Sequence, residues 1–376
     1  MKVMTFFENK PLLFREPTEV ISCYKLDEVA ECFQRVKRRL DKGFFAAGFL
    51  SYEAGYSFED KLFRDDSYDF PLFQFGIYEH PEADPGEPQR AALPAGRQAS
   101  GCRIKDIRRN ISVGDYSRNI KKIIDFIENG EVYQITYCIK SFFRAEGRPY
   151  DIFRELFRIQ PVPYSAFIDA GNFHILSLSP ELFLKKKGER IMSKPMKGTW
   201  SRQGLLNGIL GGFRLKHDGK NRAENVMIAD LLRNDLGRIG RDIRAPKLFE
   251  VAGYRTLYQM TSTVTGIIDP ALPPYDIFRA VFPSGSVTGA PRIRAMEVIR
   301  DIEKEPRKIY TGAIGYITPG NDMFFNIPIR TILMQDDECE MGIGGGIVWD
   351  STAKGEWEES LLKAKFIDEL AEGQFE

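Results

Sequence analysis

The chain has 376 residues, 43% hydrophobic and 28% charged, enough for one large domain or two ordinary ones with a substantial core. Lysine plus arginine number 53 and aspartate plus glutamate 53, so the net charge is zero and the basic field of a typical nucleic-acid binder is missing. No run of about 18 apolar residues is present for a membrane helix, and the first apolar stretches are too short for a secretory leader.

Five cysteines lie scattered with no Cys-x-x-Cys pair, which reads as reduced thiols in a cytoplasmic protein. The only histidines are His80, His174 and His217, far apart in sequence. Zinc sites built on Cys and His are thereby disfavoured, and acid–base work falls to carboxylates and lysines.

Taken in chain order, residues 26–40 place Val29, Phe33, Val36 and Leu40 on one helical stripe that stops at Gly43. FFAAGFLSYEAGYSF reads as a strand entering a Gly/Tyr loop, and PLFQFGIYEH as a further strand. Residues 80–103 are rich in Pro, Ala and Gly. They read as an exposed linker that closes an N-terminal part, 1–104, ahead of a larger part, 105–376. A helix is expected near 116–129, with Ile120, Ile123, Ile124 and Ile127 inward and Gly130 as its cap.

A β-rich run covers 132–143, a short helix 150–159, and a hairpin turns at Gly171-Asn172 before another strand. A strand at 189–195 precedes a long helix over about 221–236. The Phe282–Pro291 loop leads into a helix at Arg292–Ile302, a hairpin covers Gly312–Ile317 and Met323–Leu333, GIGGGIVW is a strand broken by glycines, and a last helix covers about 356–371. Strands in hairpin succession, without strict βαβ alternation, predict an α+β fold with large antiparallel sheets.

Three features carry chemistry. Lys197, in KPMKGT, is either a surface lysine at a strand end or a nucleophile. An unperturbed lysine is neutral in only about 1 part in 2,500 at pH 7, so a nucleophile here needs burial or a neighbouring cation. Glu224 lies on the long helix, and Glu356 and Glu359 stand side by side at i, i+3 on the last one. They suit Mg²⁺, which takes oxygen ligands and keeps waters; they equally suit solvated helix faces, with Glu359–Lys363 as an i, i+4 pair. The Phe282–Pro291 loop, with Thr288, could present N–H groups to an anion at a helix start. Gly344, Gly345 and Gly346 allow a ligand, or a packing neighbour, close to a strand. Arg330 sits in an apolar strand, where a charge needs a partner, and Tyr310 could add a hydroxyl.

The segments SLSPELF, KPMKGT, AENVMIADLLRNDLGRI, FPSGSVTGAPRIRAMEVI, RKIYTGAIGY, NIPIRT, GIGGGIVWDS and EWEESLLKAK run in one order over residues 108–370, about 70% of the chain. Together they resemble the chorismate-utilising enzymes: anthranilate, aminodeoxychorismate, isochorismate and salicylate synthases. The resemblance implies the anthranilate synthase component I-like fold, a sandwich of two large antiparallel sheets with flanking helices, and makes 105–376 a chorismate-binding catalytic domain.

The chain is most similar to the aminodeoxychorismate synthase component I branch, which typically carries Lys197 where anthranilate synthases have alanine. Gln134 stands where water-adding members carry a lysine base. The resemblance implies Lys197 as nucleophile and Glu181 as general acid. It implies Mg²⁺ on Glu224 and Glu359, with Glu356 near. Substrate contacts would come from Thr199, Thr288, Tyr310, Arg330, Gly344–Gly346 and Gln134. The expected reaction turns chorismate and ammonia into 4-amino-4-deoxychorismate for 4-aminobenzoate and folate, with ammonia from a separate glutamine amidotransferase subunit. The alternatives are an anthranilate synthase component I and a non-catalytic chorismate-binding paralogue. Tyr258-Gln259 departs from the family's usual histidine, Arg292 from its commoner lysine, and the N-terminal part lacks the Leu-Leu-Glu-Ser run of tryptophan-binding members.

Overall fold

A computed structural model of the chain describes residues 1–83, 103–202, 204–253 and 257–372. Most of the expected linker, from 84 to 102, lies outside the described residues. The strands form two ten-stranded antiparallel sheets among the described residues. One sheet runs Gly289–Ala290, Gln134–Glu146, Glu338–Ile347, Thr331–Gln335, His174–Ser177, Tyr164–Asp169, Lys2–Phe7, Lys10–Phe14, Glu82–Ala83, with Arg103–Arg109 also on Gln134–Glu146. The other runs Met196–Ser201, Leu257–Ile268, Arg190–Lys194, Leu182–Lys187, Met323–Asn326, Ala313–Ile317, Phe45–Leu50, Phe73–Tyr78, Glu19–Cys23, with Gly240–Gly253 on Leu257–Ile268. The first 80 residues thus add strands to both sheets.

Alternating apolar residues make the sheets stack. Phe7 and Phe14 of one sheet meet Phe324 and Tyr316 of the other, with ring centroids 4.9 Å and 5.6 Å apart. Each buried ring contributes about 1.5–3 kcal/mol of burial, so this aromatic seam also fixes how the sheets face each other. Helices cover the outside. Val113–Glu128 starts where the Ser112 hydroxyl accepts from the Asp115 N–H at 3.1 Å, buries Tyr116, Ile120 and Ile123, and is followed by Gly130 at φ +73°.

Two chain segments cross between the sheets side by side, and they position the site. Ser177–Leu182 leaves the first sheet for the second; Asn326–Thr331 makes the return crossing. They hold each other through Leu178 N–H to Arg330 O (3.0 Å), Ile327 N–H to Glu181 O (3.1 Å) and Ser179 Oγ to Ile327 O (2.6 Å). The expected continuous arm Met323–Leu333 is therefore two strands in different sheets. Pro328 supplies no N–H and Arg330 adopts φ +50°, which ends the first and redirects the chain. The helices Leu205–His217 and Pro274–Val281 and the long pair Gly240–Gly253 with Leu257–Ile268 were not anticipated from the sequence.

Candidate active site

A cavity of about 270 Å³ opens where the crossing segments meet the glycine strand and two helices. Lys197, Glu181, Tyr310, Arg330, Gly344–Gly346, Glu224, Glu356 and Glu359 all line it, although they come from widely separated stretches of sequence.

Lys197 is aimed by a β-bulge. Met196 faces Thr261 and Thr199 faces Gln259, so Lys197 and Gly198 together oppose Met260 alone, and Gly198 takes φ +99°. This explains why a glycine follows the lysine. The bulge is tied to the long helix Gly219–Gly237: Asn225 Nδ2 donates to Lys197 O at 3.3 Å, and Ser262 Oγ donates to Asn225 Oδ1. The amine reaches the glycine strand, where a carbon added to Gly346 would lie 2.6 Å from Nζ. Burial pushes Lys197 below the ordinary lysine value, and the nearby Lys363 charge pushes the same way. Glu224, Glu181 and Glu359 pull in the opposite direction, but burial wins.

Glu181 sits on the crossing segment at 2% exposure. Its Oε1 accepts from Ser286 Oγ at 2.7 Å and from Met196 N–H at 3.2 Å. Both bonds favour the ionised form, yet burial outweighs them and raises the carboxyl to about 7. A group at that value is suited to giving and taking a proton near neutrality.

The glycine strand Glu338–Ile347 lets other groups come close. A carbon on Gly342 would lie 2.2 Å from the Tyr310 ring, and one on Gly344 2.2 Å from Tyr137 O on the paired strand. Tyr310 is held neutral by burial. Arg330 is 8% exposed on the return crossing. A guanidinium, a phenol and bare backbone along one wall suit a carboxylate ligand.

The same cavity takes in three carboxylates. Glu224 projects from Gly219–Gly237, a helix capped by Asp218 accepting from Asn221 N–H at 2.8 Å. Glu356 and Glu359 come from Ala353–Glu372. Ser351 Oγ donates to Glu356 at 2.6 Å. Burial raises Glu224 and Glu356, while Lys363 holds Glu359 below the ordinary range. A closed metal site of three or more His, Cys, Asp or Glu ligands is absent among the described residues. The arrangement is an open set of hard oxygens on two helices, which fits a cation that takes one or two carboxylates, waters and a substrate oxygen.

Comparison with known proteins gives this geometry its relatives. A profile described as chorismate binding enzyme matches residues 4–369. The chain belongs to the chorismate binding enzyme family. Aminodeoxychorismate synthase component 1 of Bacillus subtilis is 37% identical over 258 residues, 66% of this chain and 54% of that protein. The protein of the same name from Klebsiella aerogenes is 33% identical over 342 residues, 86% of this chain and 76% of that one. The solved anthranilate synthase component I of Streptococcus pneumoniae superposes with a TM-score of 0.75 at 25% identity, covering 97% of this chain and 89% of that one. The chain spans about half the length of the first of these relatives.

For a chorismate binding enzyme, other expected contacts fall differently. Gln134 does not line the cavity; its fully buried amide has no hydrogen-bond partner, and Nε2 lies 2.8 Å from the added-carbon position of Gly346. Thr288 is fully buried, donates to Ser284 O at 2.9 Å and stands outside the cavity. Residues 282–290 are buried and Pro291 is exposed, so the loop is not the exposed anion cradle expected; its Ser286 donates to Glu181. Thr199 has its backbone opposite Gln259, and its side chain lies outside the described residues. Asp235 forms a buried pair with Arg292 at 3.0 Å.

Lys220, Lys363, Asn221, Ser286 and Gln259 line the cavity without having been anticipated as site residues. Gln259 belongs to the Tyr258-Gln259 pair already marked as a departure, while Tyr258 donates to Gly208 O at 2.7 Å. No helix among the described residues is long and apolar enough to cross a membrane.

Proposed function

We propose that this protein is an aminodeoxychorismate synthase component I, converting chorismate and ammonia into 4-amino-4-deoxychorismate on the way to 4-aminobenzoate and folate. One observation carries the reading: a lysine amine inside the cavity, lowered by burial, together with a carboxyl raised to about 7 by burial. A mere binder of diacids has no need of this pair.

Tyr310, Arg330 and the glycine backbone bind the enolpyruvyl carboxylate. Neutral Lys197 attacks C2 of the ring. The two ring double bonds shift, the C4–O bond breaks, and Glu181 gives its proton so that water leaves in place of hydroxide. The new C2–N bond leaves an ammonium on Lys197, which returns one proton to Glu181. Ammonia then attacks C4, the double bonds shift back, and the C2–N bond breaks as Glu181 gives its proton to the departing Lys197 nitrogen; the new C4 ammonium returns a proton to Glu181, which restores neutral Lys197 and the protonated carboxyl. Gln134 cannot act as a base toward water, which disfavours hydration at C2.

Glu224 and Glu359, with Glu356 beside them, would hold Mg²⁺, whose charge supplies electrostatic anchoring for the ring carboxylate. A separate glutamine amidotransferase would provide the ammonia, and the reaction would take place in the cytoplasm.

The test is incubation with chorismate, Mg²⁺ and an ammonium salt, followed by chromatography of the products. The 4-amino isomer is expected, and Lys197→Ala should slow its formation by about 10³-fold or more. A 2-amino product would make the protein an anthranilate synthase, and no product would make it a binder. Either result overturns the reading.

A further inference from the structure

Two lysines of the cavity wall, Lys220 and Lys363, have no part in the proposed reaction. Lys363 is the more tightly held. From one turn beyond Glu359 on the same helix, its ammonium pairs with the Glu359 carboxylate at 2.8 Å and donates to Gly344 O at 2.8 Å. A carbon built on Gly345 would lie 3.2 Å from Glu356 Oε2, 3.4 Å from Lys363 Nζ and 3.9 Å from Glu359 Oε1. The ammonium and both carboxylates therefore crowd one spot on the glycine strand. An amine cation sits where a metal ion would draw on the same oxygens.

We propose that Lys363 is the resident counter-ion of the carboxylate cluster and competes with Mg²⁺ for Glu359, so that metal binding must break this ion pair. The inference rests on the reading of Glu224, Glu356 and Glu359 as the metal's ligands. Three carboxylates in a partly closed cavity repel one another, and a monovalent cation on a tethered side chain relieves that repulsion until a divalent one arrives. The carbonyl of Gly344 keeps the ammonium beside the cluster after displacement. The cost is weaker metal affinity, since a bound Mg²⁺ loses one ligand's full availability and gains a positive neighbour.

The experiment is calorimetric titration of the full chain with MgCl₂ alone, without chorismate. Lys363→Met should bind Mg²⁺ about tenfold more tightly than wild type, because both the competing ion pair and the charge repulsion are removed. Lys363→Arg keeps the cation and should bind no more tightly than wild type. A folded Lys363→Met variant with unchanged or weaker affinity overturns the proposal, as does an arginine variant that binds more tightly. If the methionine variant does not fold, Lys363→Gln takes its place under the same criteria. A wild type that does not bind Mg²⁺ overturns the metal assignment together with this inference. A failure in the Lys363 variants alone leaves that assignment standing. Because no chorismate is present, neither outcome depends on whether the chain aminates it.

Discussion

Replacing Glu181 with glutamine should remove a pH-dependent destabilisation. An acid whose folded pKa lies above its unfolded value holds more protons when folded. Its contribution to stability is complete below about 4.5 and is lost as pH rises through about 7. The rise from 4.5 to about 7, at 1.36 kcal/mol per pH unit, is about 3 kcal/mol. At 2% exposure the carboxyl has little solvent to screen it. Glutamine keeps an oxygen for Ser286 Oγ and the Met196 N–H but does not titrate.

Urea unfolding of both proteins between pH 4.5 and 8 measures the effect. Wild type should lose about 3 kcal/mol relative to Glu181→Gln across that window. Glu53, also buried and raised to about 7, titrates in both proteins, so the difference isolates Glu181. Parallel curves would refute the burial argument. The same variant should lose about 10²–10⁴-fold in turnover, and the wild-type loss of activity above about pH 7 should vanish with it.

Two other outcomes follow from packing. Gly346→Ala puts a carbon 2.6 Å from Lys197 Nζ and 2.8 Å from Gln134 Nε2. Steady-state kinetics should show kcat/KM falling about 100-fold with the circular dichroism spectrum intact; full activity would mean that the amine does not need that position. Asn225→Ala strips the buried link between Lys197 O and Ser262 Oγ, and should lower unfolding stability by about 1–3 kcal/mol. A loss under about 0.5 kcal/mol in urea titration would show that the link is not needed.

The α+β class, the helix Arg292–Ile302 and the helix that carries Glu224 were legible because their signals are local: periodic apolar residues and hairpin turns. Lys197 was legible as a candidate, but what makes it reactive was not. Its burial depends on a bulge against Gln259–Thr261 and on a glycine strand about 150 residues later in sequence. The helix Leu205–His217 carries Gly208, Gly211 and Gly212, poor helix formers that weaken its local signal, and Gly211 and Gly212 let the Tyr258 ring approach. The sheet crossing at Ile327–Arg330 was hidden inside an apolar run that looks like one strand. Lys363 was read only as a helix partner of Glu359. That pair forms, but spacing could not reveal that it faces the cavity.

The most direct test of Lys197 as the nucleophile is intact-mass and peptide mass spectrometry after chorismate and Mg²⁺ are added without ammonium. The account predicts a species heavier by chorismate less water, mapped to the peptide holding Lys197 and absent from Lys197→Ala. A wild type that forms the 4-amino product with no such adduct, matched in rate by Lys197→Ala, would contradict it.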